Sequence, residues 1–232
     1  MTGLPLVWGE KGPFDPASRP AAAYAELGKD FAFRPVDVLD PASLSRGRLL
    51  LLAQPQRLAP AELAALDAWI RSGGRALILT DPMLNWPSEL PLGDIRRPPP
   101  VGLLGPLLAH WHLAMDAPLE PEAIEARWNG KRIAMDSPGR LRSTSGDCAV
   151  DPGGWTASCR LGRGRVRVVA DADLLRDSLW KENGEAVGAW MDELAGISLP
   201  PKGDKAGLAA LAAILVAAAA GLGLLRLRRR RR

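Results

Sequence analysis

Three aspartates mark the first place where this chain could do chemistry. Asp81, Asp171 and Asp173 fall at or just after the ends of apolar runs that read as buried strands. Open α/β sheets bind ligands beyond the carboxyl ends of such strands. Two aspartates at i and i+2 can hold a divalent cation. The competing account is local: Asp173 caps a helix over residues 174–180 and Asp81 caps a turn with Pro82, and this is the preferred reading. Trp8, Glu10 and Gln54 join the aspartates as candidate cleft residues, because they would line the crevice between the first and third strands if the strand order is 2-1-3-4-5. His110 and His112 are the only histidines, and a spacing of two places them on different faces of a helix. A zinc site with Asp116 would more naturally use i, i+4, so neither metal nor cofactor is expected. There is no G-x-S-x-G elbow and no Walker A sequence, and Gly162-Arg163-Gly164 precedes its strand, where a dinucleotide loop must follow one.

The two cysteines carry a second kind of chemistry. Cys148 and Cys159 flank a hairpin closed around Pro152-Gly153-Gly154-Trp155. If the loop is those four residues, Asp151 faces Thr156 and Cys148 faces Cys159 at a non-hydrogen-bonded pair. Opposed Cα atoms there lie about 4.5 Å apart, within disulfide reach. The alternative is a pair of buried thiols. A disulfide would imply an oxidising compartment.

The elements that must position these residues read as an α/β alternation. Residues 5–8 suggest a first strand, 16–27 a helix, and 31–38 a second strand, at an edge because of Pro35. Residues 48–54 form a continuous apolar run, as in a strand buried on both faces. Residues 58–71 then show a proline at a helix start, an acidic first turn, and apolar positions at Leu63, Leu66, Trp69 and Ile70. Gly73-Gly74 ends that helix, and 75–80 reads as another buried strand, completing a βαβ unit with parallel strands. The proline-rich stretch 82–101 reads as a long loop, 103–111 as a helix, and 131–135 and 165–170 as strands. Residues 171–180 and 183–195 read as two closing helices. Of the eight tryptophans, Trp69, Trp180 and Trp190 fall on helix faces and suit the core, whereas Trp8 and Trp86 suit exposed loops. The expected fold is a flavodoxin-like, doubly wound, mainly parallel sheet with a β-hairpin insertion and a C-terminal transmembrane helix.

The charge distribution separates a body from a tail. Arg226, Arg228, Arg229, Arg230, Arg231 and Arg232 crowd the end, and removing those six turns a formal charge of +4 into −2. The body is thus mildly acidic, shows no basic face for a phosphate backbone, and is not expected to bind nucleic acid. Before the arginines, residues 206–225 form twenty positions without a charged or strongly polar side chain. As a helix they would span about 30 Å, the thickness of a bilayer's hydrocarbon core. The positive-inside rule then leaves the arginine tail cytoplasmic and places the preceding domain on the far side, the periplasm of a Gram-negative cell. Met1 is followed by neither a basic segment nor an apolar one of signal-peptide length. Either an export signal lies upstream of Met1, the favoured reading, or the domain is cytoplasmic and the tail crosses outward against the charge rule. The organisation is a domain over 1–196, a linker over 197–205, the span over 206–225 and a basic tail over 226–232.

The sequence of residues 66–82, LDAWIRSGGRALILTDP, and later GRVRVVADAD at 164–173, resemble the class I glutamine-amidotransferase-like domains of GldG-type auxiliary proteins of ABC exporters. Related membrane-anchored alphaproteobacterial proteins share the likeness, which covers roughly residues 4–195. The resemblance implies a flavodoxin-like sheet and a non-cytoplasmic domain tethered to the inner membrane, with more bearing on fold than on activity. It also exposes a departure: no cysteine follows a buried strand here, so the amidotransferase nucleophile and its triad are missing. The resulting expectation is a non-catalytic, periplasmic binding subunit, in contact with inner-membrane lipid and a membrane protein complex such as an ABC permease. A hydrolase or carbohydrate-binding protein using Glu10, Asp81 and Asp171 is the alternative.

Overall fold

The computed structural model describes residues 1–196. In chain order the elements are α1 (Ala22–Leu27), α2 (Pro41–Leu44), β1 (Leu49–Ala53), α3 (Pro60–Arg71), β2 (Arg75–Leu79), α4 (Gly105–His110), β3 (Leu113–Asp116), β4 (Ala123–Trp128), β5 (Lys131–Asp136), β6 (Arg140–Ser143), β7 (Cys148–Val150), β8 (Thr156–Leu161) and β9 (Gly164–Val169). A 3-10 turn (Asp173–Leu175) and α5 (Asp177–Ala195) follow. The main sheet has the order β1-β2-β9-β8-β7, and β3-β6 and β4-β5 form separate two-stranded ladders. β1, β2 and β9 run parallel, whereas β8 and β7 are antiparallel additions.

The alternation of side chains along these strands builds two cores. Leu50, Leu52, Ala76, Ile78, Val166 and Val168 face α3, α4 and the disulfide. Leu51, Leu77, Leu79 and Val169 face α1, α5 and the β4-β5 ladder. Runs such as LLLLA are apolar at every position because both faces of the sheet are covered. The βαβ unit is as expected: Pro60 sits in the first turn of α3, Glu62 accepts from the Ala59 N–H at 2.8 Å, and Leu66 and Ile70 are fully buried. Gly164 lets β9 pass close beneath the end of α3, since a Cβ there would lie 2.0 Å from the Ile70 carbonyl oxygen.

Several expected elements take another form. Residues 5–8 are not a strand, because Pro5 has no N–H for a ladder and the Leu6 N–H turns back onto the Leu4 carbonyl at 2.8 Å. Leu4 and Leu6 are buried nonetheless. The parallel contact with β1 comes earlier, as a single bridge between Thr2 and Ala53. Residues 31–38 form no ladder either; Phe33 stacks on Tyr24 with centroids 5.4 Å apart, and Pro35 removes a donor. The two closing helices are one helix, α5, preceded by the 3-10 turn. Asn183, an apparent break, docks on β5 instead: its amide accepts from the Ala134 N–H at 2.8 Å and donates to the Ala134 carbonyl at 2.9 Å. Among the described residues no helix is long and apolar enough to cross a membrane. The linker, the expected span at 206–225 and the arginine tail lie outside the described residues.

Candidate functional site

Parallel register brings the first two candidate aspartates side by side. Leu79 of β2 pairs with Val169 of β9, so the residues two positions on, Asp81 and Asp171, leave the sheet together at its carboxyl edge. The 3-10 turn returns Asp173 to the same place, and one carboxylate oxygen from each residue lies within 4.8 Å of the others. All three side chains are completely buried.

Five backbone N–H groups meet these carboxyls. Asp81 accepts from Met83 at 2.8 Å and Ala172 at 3.0 Å. Asp171 accepts from Asp136 at 2.9 Å and Leu174 at 3.2 Å. Asp173 accepts from Asn85 at 2.8 Å through one oxygen, and the other has no hydrogen-bond partner. Arg176 approaches that second oxygen at 3.7 Å while pairing with Asp136 at 2.8 Å. Asp81 bonds the N–H two residues on, as expected of a turn cap. Asp173 does not cap the helix after it, because its bonded oxygen is turned to Asn85. Asp171 bonds the N–H three residues on instead, and Asp81 and Asp171 also reach across the fold.

Three buried carboxyls this close cannot all ionise at little cost. Burial raises Asp81 to about 7, against the pull of the Ala172 and Met83 N–H groups and with added repulsion from Asp173. Burial, reinforced by the charges of Asp81 and Asp173, pushes Asp171 well above the ordinary carboxylate range. Burial raises Asp173 to about 6, opposed by the Asn85 N–H and by Arg176. Among the described residues these three form the group of acidic, histidine or cysteine side chains close enough to share an ion. Five of their six oxygens are already held by backbone donors. The cluster therefore staples the 82–85 segment, β5 and the 3-10 turn to the edge of the sheet.

Gln54 belongs to this edge as well. It is fully buried at the end of β1, in a left-handed conformation with φ of 40°. Its side chain accepts from the Asp81 N–H at 2.8 Å and donates to the carbonyls of Asp81 at 3.1 Å and Pro99 at 2.9 Å. Trp8 and Glu10 lie elsewhere. They line a cleft of about 580 Å³ with Arg19 and Ser88, and no aspartate of the buried cluster contributes to its walls. Trp8 is 56% exposed. Glu10 accepts from the Ser88 hydroxyl and from the Glu89 N–H at 2.8 Å, which ties the amino-terminal segment to the long loop. The six cleft candidates thus divide into an open wall and a sealed cluster.

The remaining candidates have separate partners. His110 approaches Asp67 at 3.5 Å, and Asp116 pairs with Arg142 at 2.7 Å. Cys148 and Cys159 form a disulfide in the expected register, with Cα atoms 4.0 Å apart, so neither offers a thiol nucleophile. Sequence reasoning missed Asp136 and Arg176, which flank the cluster; Asp136 closes β5 and no spacing links it to Asp171.

Residues 5–124 match a family model described as an ABC-type uncharacterized transport system. No curated protein matches the chain in sequence. Among solved structures, the N-terminal domain of mmIFT52 is similar with a TM-score of 0.52 and 14% identity, over 76% of this chain and 90% of that one. A cytoplasmic protein from Salmonella typhimurium LT2 gives 0.44 and 10%, over 78% and 89%. An exo-β-1,4-mannosidase from Opitutaceae bacterium strain TAV5 gives 0.41 and 14%, with 70% of this chain covering only 26% of the enzyme. At these identities the first likeness speaks to fold alone.

Proposed function

We propose, from the premise that this chain belongs to the ABC-type uncharacterized transport system family, that it is a membrane-anchored periplasmic subunit acting by binding. The family match carries the transport association. The periplasmic side is supported by the Cys148–Cys159 disulfide, which suits an oxidising compartment. The anchor rests on the apolar run at 206–225 and the arginines behind it. The GldG-type reading agrees with the βαβ unit and with helices on both faces of the sheet. In a flavodoxin-like order of 2-1-3-4-5, β1, β2 and β9 would be the last three strands, and the Thr2 bridge would be a remnant of the first. The hydrolase or sugar-binding alternative has less support, because Asp81 and Asp171 are sealed and hold backbone donors.

The test is made on membranes carrying the full chain with its upstream reading frame. A membrane-impermeant protease added to spheroplasts should digest the domain, and thiol reagents should label Cys148 and Cys159 only after reduction. Mild-detergent purification should recover a larger complex containing a permease. Protection from the protease together with free thiols would overturn the topology. Recovery of monomer alone in several detergents would overturn the binding role.

A further inference from the structure

Arginines spread between residues 46 and 165 are gathered by the sheet at one edge. Arg48 immediately precedes β1, Arg75 opens β2, Arg165 lies at the start of β9, and Arg160 lies near the end of β8. Register aligns Arg75 with Arg165 and Arg165 with Arg160, which makes a row across three neighbouring strands. Arg163 in the β8-β9 turn donates its backbone N–H to the carbonyl of Arg71 at the end of α3, at 3.0 Å. Arg46 lies just after α2. Arg46, Arg48, Arg71, Arg160, Arg163 and Arg165 are all exposed.

Few acids answer this charge. Arg71 pairs with Asp67 at 2.9 Å, and Arg167, deeper on the sheet, pairs with Glu193 at 3.1 Å. Asp37 and Asp40 beside Arg46, Asp147 near Arg160 and Asp192 in the last turns of α5 are further acids of this region. Among the described residues, Arg46, Arg48, Arg160, Arg163 and Arg165 have no ion-pair partner within 4.0 Å. A folded domain whose sequence is mildly acidic thus carries a locally unneutralised basic edge.

The chain also leaves the domain at this edge. The Arg75 guanidinium donates to the Leu194 carbonyl at 2.7 Å, which fixes the last turn of α5 against the start of β2. From Gly196 nine residues lead to the apolar run at 206–225. Fully extended, nine residues reach about 30 Å, which is the most chain that separates the edge where α5 ends from the start of that run.

We propose that this arginine edge is a docking surface for anionic phospholipid headgroups, holding the domain with the amino ends of its parallel strands toward the bilayer. The inference rests on the anchored reading above. Arginine presents a planar fork suited to phosphate, and basic residues near an anionic surface act additively and are screened by salt. The carboxyl edge, with Gln54 and the aspartates, then faces away from the lipid.

The full chain is mixed with neutral phosphatidylcholine vesicles or with vesicles containing phosphatidylglycerol. A fluorescent probe sits at Ser72→Cys, on the exposed turn beside Arg71, or at Leu92→Cys on the long loop. A headgroup quencher reports proximity. The Ser72 probe should be quenched at least about threefold more in anionic than in neutral vesicles, with the difference lost in high salt. The Leu92 probe should show no such difference. R163Q/R165Q should lower the quenching, and R163K/R165K should retain most of it. Flotation separates the two readings: binding to both vesicle types with the probe difference supports anchor and edge together. Flotation only with anionic vesicles removes the anchor, and the edge then stands if R163Q/R165Q lowers the Ser72 quenching and falls if it does not, since the arginine tail also binds anionic lipid. Flotation with both and equal quenching overturns the edge alone, and flotation with neither overturns both. Displacement from anionic vesicles by a mixed-sequence oligonucleotide at low concentration would also overturn the lipid assignment.

Discussion

Gln54 shows how one buried amide can hold several chain segments at a strand end where the ladder has run out. Its carbonyl and amino groups are matched to the Asp81 N–H and to the carbonyls of Asp81 and Pro99, so all three polar groups stay satisfied away from water. Gln54→Ala would strand the Asp81 N–H and the Pro99 carbonyl, while the Asp81 carbonyl keeps the Gly102 N–H, and each unsatisfied buried group costs about 1–3 kcal/mol. Denaturant unfolding should therefore show a loss of about 2–4 kcal/mol; an unchanged midpoint would show that water replaces the amide. The residue type was legible as a candidate in the sequence, but its role was not. Nothing in the local spacing reveals that Pro99 returns across 45 positions to meet it. The same holds for Asp81 and Asp171, whose pairing follows from β2 lying beside β9. Asp81 bonding the N–H two residues on is the one part a turn rule can foresee.

The elements that could be read directly from the sequence are those whose causes are local. The helix over α3 has its proline start, acidic first turn and glycine stop within one stretch, and β1 and β2 are runs of uninterrupted apolar residues. The cysteine hairpin was legible because a four-residue loop fixes every pair beyond it. Elsewhere tertiary contacts decided. β5 could be read, but its partner β4 and the β3-β6 ladder could not, because those segments alternate weakly, and Asn183 is kept helical by its bonds to Ala134. The hairpin carries its own prediction. The disulfide closes a short loop, with a separation of 11, and ties the three-residue β7 to the sheet. Reduction, or the double change Cys148→Ala and Cys159→Ala, should cost about 2–3 kcal/mol in denaturant unfolding of the full chain. Equal midpoints for the oxidised and reduced chains would show that β7 needs no crosslink.

For the whole molecule, net charge was a poor guide to the distribution of charge. The arginines at the strand starts lie far apart in sequence, and only the sheet sets them in a row. Proton binding at the opposite edge gives a further expectation. Burial raises Asp81 to about 7 and Asp173 to about 6, and Asp171 above its ordinary range, so the folded state should hold protons that the unfolded chain releases. The cluster's stabilising contribution is complete below the ordinary carboxylate range and falls as pH rises through those values. Its effect on Tm should therefore be less favourable at about pH 8 than at about pH 5, and Asp173→Asn should weaken that dependence near about pH 6. A dependence unchanged in the variant would remove Asp173 from the linkage. Exposed pairs such as Asp116–Arg142 have the opposite sign: the carboxylate lies below its usual range, and its small contribution is lost only in acid.

The order in which a ribosome delivers this chain gives β9 and α5 a temporal meaning. β9 lies between β2 and β8, yet it comes after almost everything else, and α5 supplies much of one core through Trp180, Val187, Trp190 and Leu194. The sheet cannot be joined across its middle until residue 169 has emerged, and the face beneath α5 cannot close until residue 194 has. The core of the nascent chain therefore cannot close until nearly the whole domain has been made.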